Sequence, residues 1–164
     1  MHATTLFSLL AVSATSQALK YAIPSRVANT NCTYPANFTV SNFTDYTDRV
    51  DNTKNITSFY FADAGTGINT FCSRNSTSKS TAANANEWPC DNADVSFIYQ
   101  TTGIAGLTVI ELACPGITPR FEASGLVTPD LACTNSTSGT TCTTKQSPVQ
   151  GEFNSFEPAP PTSR

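Results

Sequence analysis

Few side chains in this sequence are equipped for chemistry. Asp91 and Asp94 flank a turn after Cys90, and Glu111 and Glu122 sit on candidate strands. Two carboxyls about 5–10 Å apart across a cleft would suit glycoside hydrolysis. Nothing in the spacing fixes such a distance. Aspartate serves turns readily, so Asp91 and Asp94 are expected to shape a turn and both glutamates to face solvent. The only histidine is His2, inside a segment expected to be removed. The mature chain then has none, which excludes Ser–His–Asp and Cys–His nucleophiles and histidine-ligated zinc. No catalytic residue is assigned, and the protein is not expected to be an enzyme.

Asp45, Asp48 and Asp51 recur at every third position. A calcium loop of the EF-hand type needs oxygens at tighter spacing, so a solvated loop is expected there. Gly65-Thr66-Gly67 lacks the lysine and helix of a phosphate cradle and reads as a turn. No metal and no cofactor is expected.

The cysteines say more about where the protein works. The residues Leu6, Phe7, Leu9, Leu10, Ala11 and Val12 form a short apolar run, and Ser16-Gln17-Ala18 offers small residues for cleavage. That is the pattern of a secretion signal. Behind it stand Cys32, Cys72, Cys90, Cys114, Cys133 and Cys142, with no C-x-x-C pair. An even count in a secreted chain implies disulfides, and zinc-ribbon or thioredoxin-like chemistry is a poor fit. Sequons at Asn31, Asn37, Asn42, Asn55, Asn75 and Asn135 are glycosylation candidates of the same compartment. A net charge of −3 with scattered lysines and arginines argues against nucleic-acid binding. No stretch is long and apolar enough to span a bilayer. The apolar tail of a GPI signal is absent.

These features need strands to position them. Ile56 to Ala62 and Ile68 to Cys72 flank the turn Asp63-Ala64-Gly65-Thr66-Gly67, a hairpin pattern. A polar loop then leads to Trp88-Pro89-Cys90, and a Cys72–Cys90 bridge would close it. Other strand candidates are Phe38 to Ser41, Val95 to Gln100, Leu107 to Leu112 and Phe121 to Val127. In the first, regular alternation turns Asn42 inward beside Phe38 and Val40, so Asn42 accepts sugar only if the strand ends or bulges there. Asp45 to Lys54 reads as a loop, and Cys133 to Cys142 brackets a flexible one. A short strand is possible near Phe153 and Phe156. The organisation expected is a signal peptide over 1–18, an arm over 19–31, a β domain over 32–156 and a disordered Pro-rich tail over 157–164. The fold class is all-β, a small antiparallel barrel or sandwich stapled by disulfides.

Leu107 to Leu112 is apolar on both faces, so the strand is either central or covered by a partner. Its outer face, taken as Leu107, Val109 or Ile110, and Leu112, is the interaction candidate. Trp88 is a second candidate anchor, although a tryptophan covering the Cys72–Cys90 bridge and filling one end of the core is the plainer reading.

The order of these features resembles the Alternaria major-allergen-like family of small secreted fungal proteins. The matching run is Ile56-Thr57-Ser58-Phe59-Tyr60-Phe61, the glycine turn, Ile68-Asn69-Thr70-Phe71-Cys72, Glu87-Trp88-Pro89-Cys90 and Val95-Ser96-Phe97-Ile98-Tyr99. Phe121-Glu122-Ala123-Ser124-Gly125 is similar to a late family strand. The resemblance covers most of residues 32–156. It implies an antiparallel β-barrel with Cys72–Cys90 and Cys133–Cys142 paired. That leaves Cys32 and Cys114 to join each other, or Cys32 to link two chains as in part of the family. The function implied is a secreted, extracellular, non-enzymatic binding protein of the effector, elicitor or allergen type. Its partners would be host plant defence proteins or small aromatic ligands, with a homodimer possible. A carbohydrate-active enzyme using Asp and Glu, or a structural cell-wall protein, are the alternatives.

Overall fold

The computed structural model describes residues 18–25, 27–28, 31–81 and 86–160; the signal segment up to Gln17 lies outside them. The strands are β1 (Asn37–Asp48), β2 (Ile56–Asp63), β3 (Ile68–Arg74), β4 (Trp88–Pro89), β5 (Val95–Gln100), β6 (Gly106–Ala113), β7 (Phe121–Val127), β8 (Leu131–Asn135), β9 (Gly139–Thr144), β10 (Val149–Glu152) and β11 (Ser155–Pro158). They form two antiparallel sheets. One has the order β3-β2-β1-β9-β8 with β10 also on β1, and the other β11-β7-β6-β5-β4. Of the two architectures expected, this is the sandwich.

The alternation read from the sequence sets the inner faces. Phe59 and Phe61 on β2, Phe97 on β5 and Val109 on β6 are fully buried. Aromatic rings join the layers. Phe59 meets Phe97 edge-on at 5.0 Å, and Phe43 meets Tyr99 edge-on at 5.0 Å, arrangements that add to the burial term.

β1 organises the larger sheet, and it is longer than the sequence suggests. Val40 and Phe43 are both buried, because a bulge between Ser41 and Thr44 inserts one residue. Asn42 occupies it at φ 54° and is exposed. The bulge re-phases the strand, so Asp45 points inward and accepts the Thr57 hydroxyl at 2.8 Å. Asp45 to Asp48 is therefore strand rather than loop. Before the bulge β1 pairs with β10, and after it with β9.

The edges of the sandwich are joined in two ways. At one edge an isolated bridge pairs Cys72 with Cys90. At the other the chain passes from β10 to β11 over the buried Phe153. The Phe38 ring lies against two glycines there: a Cβ on Gly151 would come within 2.3 Å of the ring, and one on Gly125 within 2.3 Å of the Glu152 carbonyl.

Two further expectations are corrected. Residues 133–142 are not a flexible loop but the hairpin β8–β9, in which Cys133 faces Cys142 directly. The ordered strand also runs past 156: Glu157 and Pro158 pair with Glu122 and Phe121, because Phe156 stacks on Phe121 at 5.2 Å and holds β11 to the sheet edge. The arm before β1 is packed as well. The Tyr21 ring stacks on Phe156 at 4.9 Å, and its hydroxyl donates to the Pro35 carbonyl.

Candidate functional site

The most unusual polar group inside the sandwich is Glu111. On β6 the inward residues are Leu107, Val109, Glu111 and Ala113, so the carboxyl continues an apolar row. It is 1% exposed. Across the core β2 ends at Asp63, also 1% exposed. Asp63 Oδ1 accepts from the Gly65 and Thr66 amides at 2.6 and 3.2 Å, which fixes the turn to β3. Gly67 closes that turn at φ 77° with its amide on the Asp63 carbonyl.

The electrostatics show that these groups share one environment. Burial pushes the Glu111 carboxyl up to about 8, and the nearby Asp63 and Asp94 charges add to that; the Thr66 hydroxyl partly offsets it. Burial also raises Asp63, against the lowering effect of the Thr66 and Gly65 amides. Tyr21 is pushed far up, first by burial and then by the Glu111 and Asp63 charges. Asp63 Oδ2, Thr66 Oγ1 and both Glu111 oxygens are buried with no hydrogen bond of good geometry; the Thr66 hydroxyl lies near both carboxyls and acts on them, but is not aligned as a donor to either. Glu111 alone had been singled out in the sequence, and then as solvent-facing. The regular alternation with Leu107 and Val109 is the signal that turns it inward. Asp63, Thr66 and Tyr21 were not recognised as its neighbours, since only the stacking of the sheets brings them there.

Two open grooves lie at this end. One, of about 360 Å³, runs past Thr39, Asp63, Gly65, Ile68 and Gln150. The other, of about 650 Å³, is lined by Leu126, Thr128, Gln150, Glu152 and Asn154. Glu111 lines neither; Asp63 alone of the pair borders a groove, so the two carboxyls do not face a substrate cleft together.

The remaining residues singled out from the sequence are dispersed. Asp91 is exposed and Asp94 half-buried in the turn before β5, where the Asp94 amide donates to Asn92 Oδ1 at 2.9 Å. Glu122 is half-buried on the outer face; burial, then Glu87 and Glu157, raises it to about 6, with Arg120 partly opposing. Asp48 and Asp51 are held low chiefly by hydrogen bonds from the Val50 and Asp51 amides and from Thr53 respectively. Their oxygens serve a turn, while Asp45 is turned into the core. Leu107 and Val109 are fully buried and form no outer face, because β6 points odd-numbered residues inward; Leu112 is half-buried on the outside. Trp88 packs against the core with Arg74 over its ring at 5.8 Å. The disulfides are Cys32–Cys114, Cys72–Cys90 and Cys133–Cys142, so Cys32 has no thiol for a second chain. Asn31, Asn42, Asn75 and Asn135 are exposed; Asn37 and Asn55 are half-buried.

No family model and no curated protein matches the sequence. The fold does have solved counterparts. Two crystal structures of the Alternaria alternata major allergen Alt a 1 superpose with TM-scores of 0.50 and 0.52, at 12% and 13% identity. They cover 76% and 77% of this chain and 95% of the allergen chain in each case. The chain thus has the Alt a 1 fold, as the order of sequence features had implied.

Proposed function

We propose that this is a secreted, non-enzymatic binding protein of the allergen and effector type, working through its surface in the extracellular space. The observation that carries the reading is the shared fold, which accounts for nearly the whole of the allergen chain. Three disulfides suit an oxidising compartment, and sugars on Asn31, Asn42, Asn75 and Asn135 belong to the same picture. The partner is a host extracellular protein or a small aromatic molecule. The two grooves and the half-buried outer face at Ile110 and Leu112 are the surfaces offered to it.

The test is capture. Immobilised mature protein is incubated with plant apoplastic extract, and separately titrated with small aromatic molecules while Trp88 fluorescence is followed. Specific, saturable retention of a protein or ligand supports the reading. Absence of both, together with turnover of cell-wall glycans, overturns it. The carbohydrate-active alternative has one observation in its favour, the raised carboxyl of Glu111, since a general acid needs such a shift. Glu111→Gln separates the two readings: it abolishes turnover in an enzyme and leaves capture intact in a binding protein.

A further inference from the structure

Asp63, Thr66 and Glu111 come from the end of β2, the turn that follows it and the second half of β6. Four of their oxygens are buried and lack a hydrogen bond of good geometry: both of Glu111, Asp63 Oδ2 and Thr66 Oγ1. A buried acceptor without a donor is rare in a folded protein and calls for a reason. No positive side chain answers these. The charged groups that act on Glu111 are Asp63 and Asp94, both negative, and the interactions on Asp63 come only from Thr66 and Gly65. No hydrogen bond joins the two carboxyls, so a shared proton does not satisfy them. The Tyr21 hydroxyl, which feels both carboxyls, is committed to the Pro35 carbonyl.

We propose that Asp63, Thr66 and Glu111 form a binding site for a hard, oxygen-ligated divalent cation of the calcium class, entered past the glycine turn between β2 and β3. The chemistry of the donors selects the ion. Carboxylate and hydroxyl oxygens suit hard cations, and calcium tolerates an irregular shell completed by water. Among the described residues no three His, Cys, Asp or Glu side chains gather in a metal-binding group, so the two carboxyls and the Thr66 hydroxyl would be the only side-chain ligands, with water completing the shell. The entrance is open enough for a hydrated ion: Ala64, Gly65 and Gly67 are exposed, and the groove beside them reaches Asp63. Bound there, the cation ties β2 to β6 and so holds the two sheets together at this end. The site is distinct from the aspartate series at 45, 48 and 51, whose oxygens are already used.

The test uses the mature, disulfide-bonded protein, stripped with a chelator and titrated with CaCl2. The melting temperature rises by at least about 3 °C and then saturates, as for a ligand that binds only the folded state. MgCl2 gives a smaller rise, and NaCl at equal ionic strength gives none. Glu111→Gln and Asp63→Asn each remove the rise, Thr66→Val weakens it, and Asp48→Asn leaves it unchanged. Terbium gives a second reading on the unmodified protein. Tyr21 stands beside the carboxyls, so bound terbium luminesces on tyrosine excitation, CaCl2 quenches that emission, and Tyr21→Phe dims it. If Glu111→Gln does not fold, Asp63→Asn and the terbium competition decide. The proposal is overturned if the unmodified protein shows neither a calcium-dependent rise nor sensitised terbium emission. It is equally overturned if the rise survives both Asp63→Asn and Thr66→Val.

Discussion

Two hairpins of this molecule carry a cross-linked cysteine, and they are held by different forces. The β2–β3 hairpin buries Phe59, Phe61 and Cys72 completely. The β8–β9 hairpin is mostly exposed: Gly139 is its only buried residue, and Leu131 alone packs, half-buried, against the core. Both have full ladders, to each other and to β1. The difference teaches that regular strand geometry here does not require a core beneath it. In β2–β3 the disulfide decorates a packed layer. In β8–β9 it is one of the few things that define the register, together with the close approach of Gly139 to β1, where a Cβ would lie 2.3 Å from the Thr47 carbonyl.

The largest test of this contrast is truncation of matching positions. Phe59→Ala removes a fully buried ring that meets Phe97 and Phe43, and costs about 3–5 kcal/mol. Thr141→Ala, on the exposed face of β9, stays within about 0.5 kcal/mol. Denaturant midpoints at constant slope measure both. Similar losses would mean that the outer hairpin shares the core's cooperativity.

The disulfides sharpen the comparison. The loops they close are similar in entropy terms: the separations are 18 residues for Cys72–Cys90 and 9 for Cys133–Cys142, and chain entropy assigns about 3 kcal/mol to each. Any difference between the two double alanine variants therefore reports packing. The Cys72→Ala/Cys90→Ala protein loses more, since Cys72 is fully buried and its removal also opens a gap. The Cys133→Ala/Cys142→Ala protein loses no more than the entropic amount, and its loss shows first as amide exchange confined to β8 and β9. Equal losses, with exchange spread evenly over the chain, contradict the distinction.

The same contrast explains what could be read from the sequence. Strands with a core beneath them have period-two apolar patterns, and Phe59/Phe61, Val95/Phe97 and Phe121/Ala123 were placed correctly on that basis. Between its two cysteines β8–β9 has only Thr, Ser, Asn and Gly to show, so it read as a loop. The second half of β1 was hidden by the bulge, which breaks the alternation at Asn42, and by an inward Asp45 whose partner is twelve residues away. The candidate site was the least legible part. Glu111 was visible, but its meeting with Asp63 depends on how two sheets stack, and no local pattern encodes that.

The bulge is also the joint between the two regions, since β1 changes partner there. Asn42 holds a positive φ, which asparagine tolerates and β-branched residues do not. Asn42→Val therefore costs roughly 1–2 kcal/mol, while Asn42→Gly stays within a few tenths. A valine without cost would mean that β1 can flatten, slipping its pairing with β9 relative to β10. That outcome is visible as altered exchange in β9 with β2 unchanged.

The smallest expected effect is a pH dependence confined to the outer hairpin. Asp48 ends β1 beside the tip of β8–β9: the Arg49 amide donates to the Ser138 carbonyl at 3.0 Å, and the Tyr46 hydroxyl reaches both Asp48 and Ser138. The Asp48 carboxylate accepts from the Val50 and Asp51 amides at 3.0 and 2.9 Å, and these bonds lower its pKa below the ordinary value of 3.8. A depressed carboxyl contributes stability that is complete above its unfolded pKa and is lost as pH falls through the folded one. Acidification below 3.8 should therefore release the loop after β1 and raise amide exchange at Gly139 and Thr140, with no change at Phe59 or Phe61. Asp48→Asn removes the charge that prefers those amides and should flatten this acid response. If exchange instead rises together in β2 and β9, protonation acts on the whole sandwich, and the outer hairpin is not the separable unit that its exposure implies.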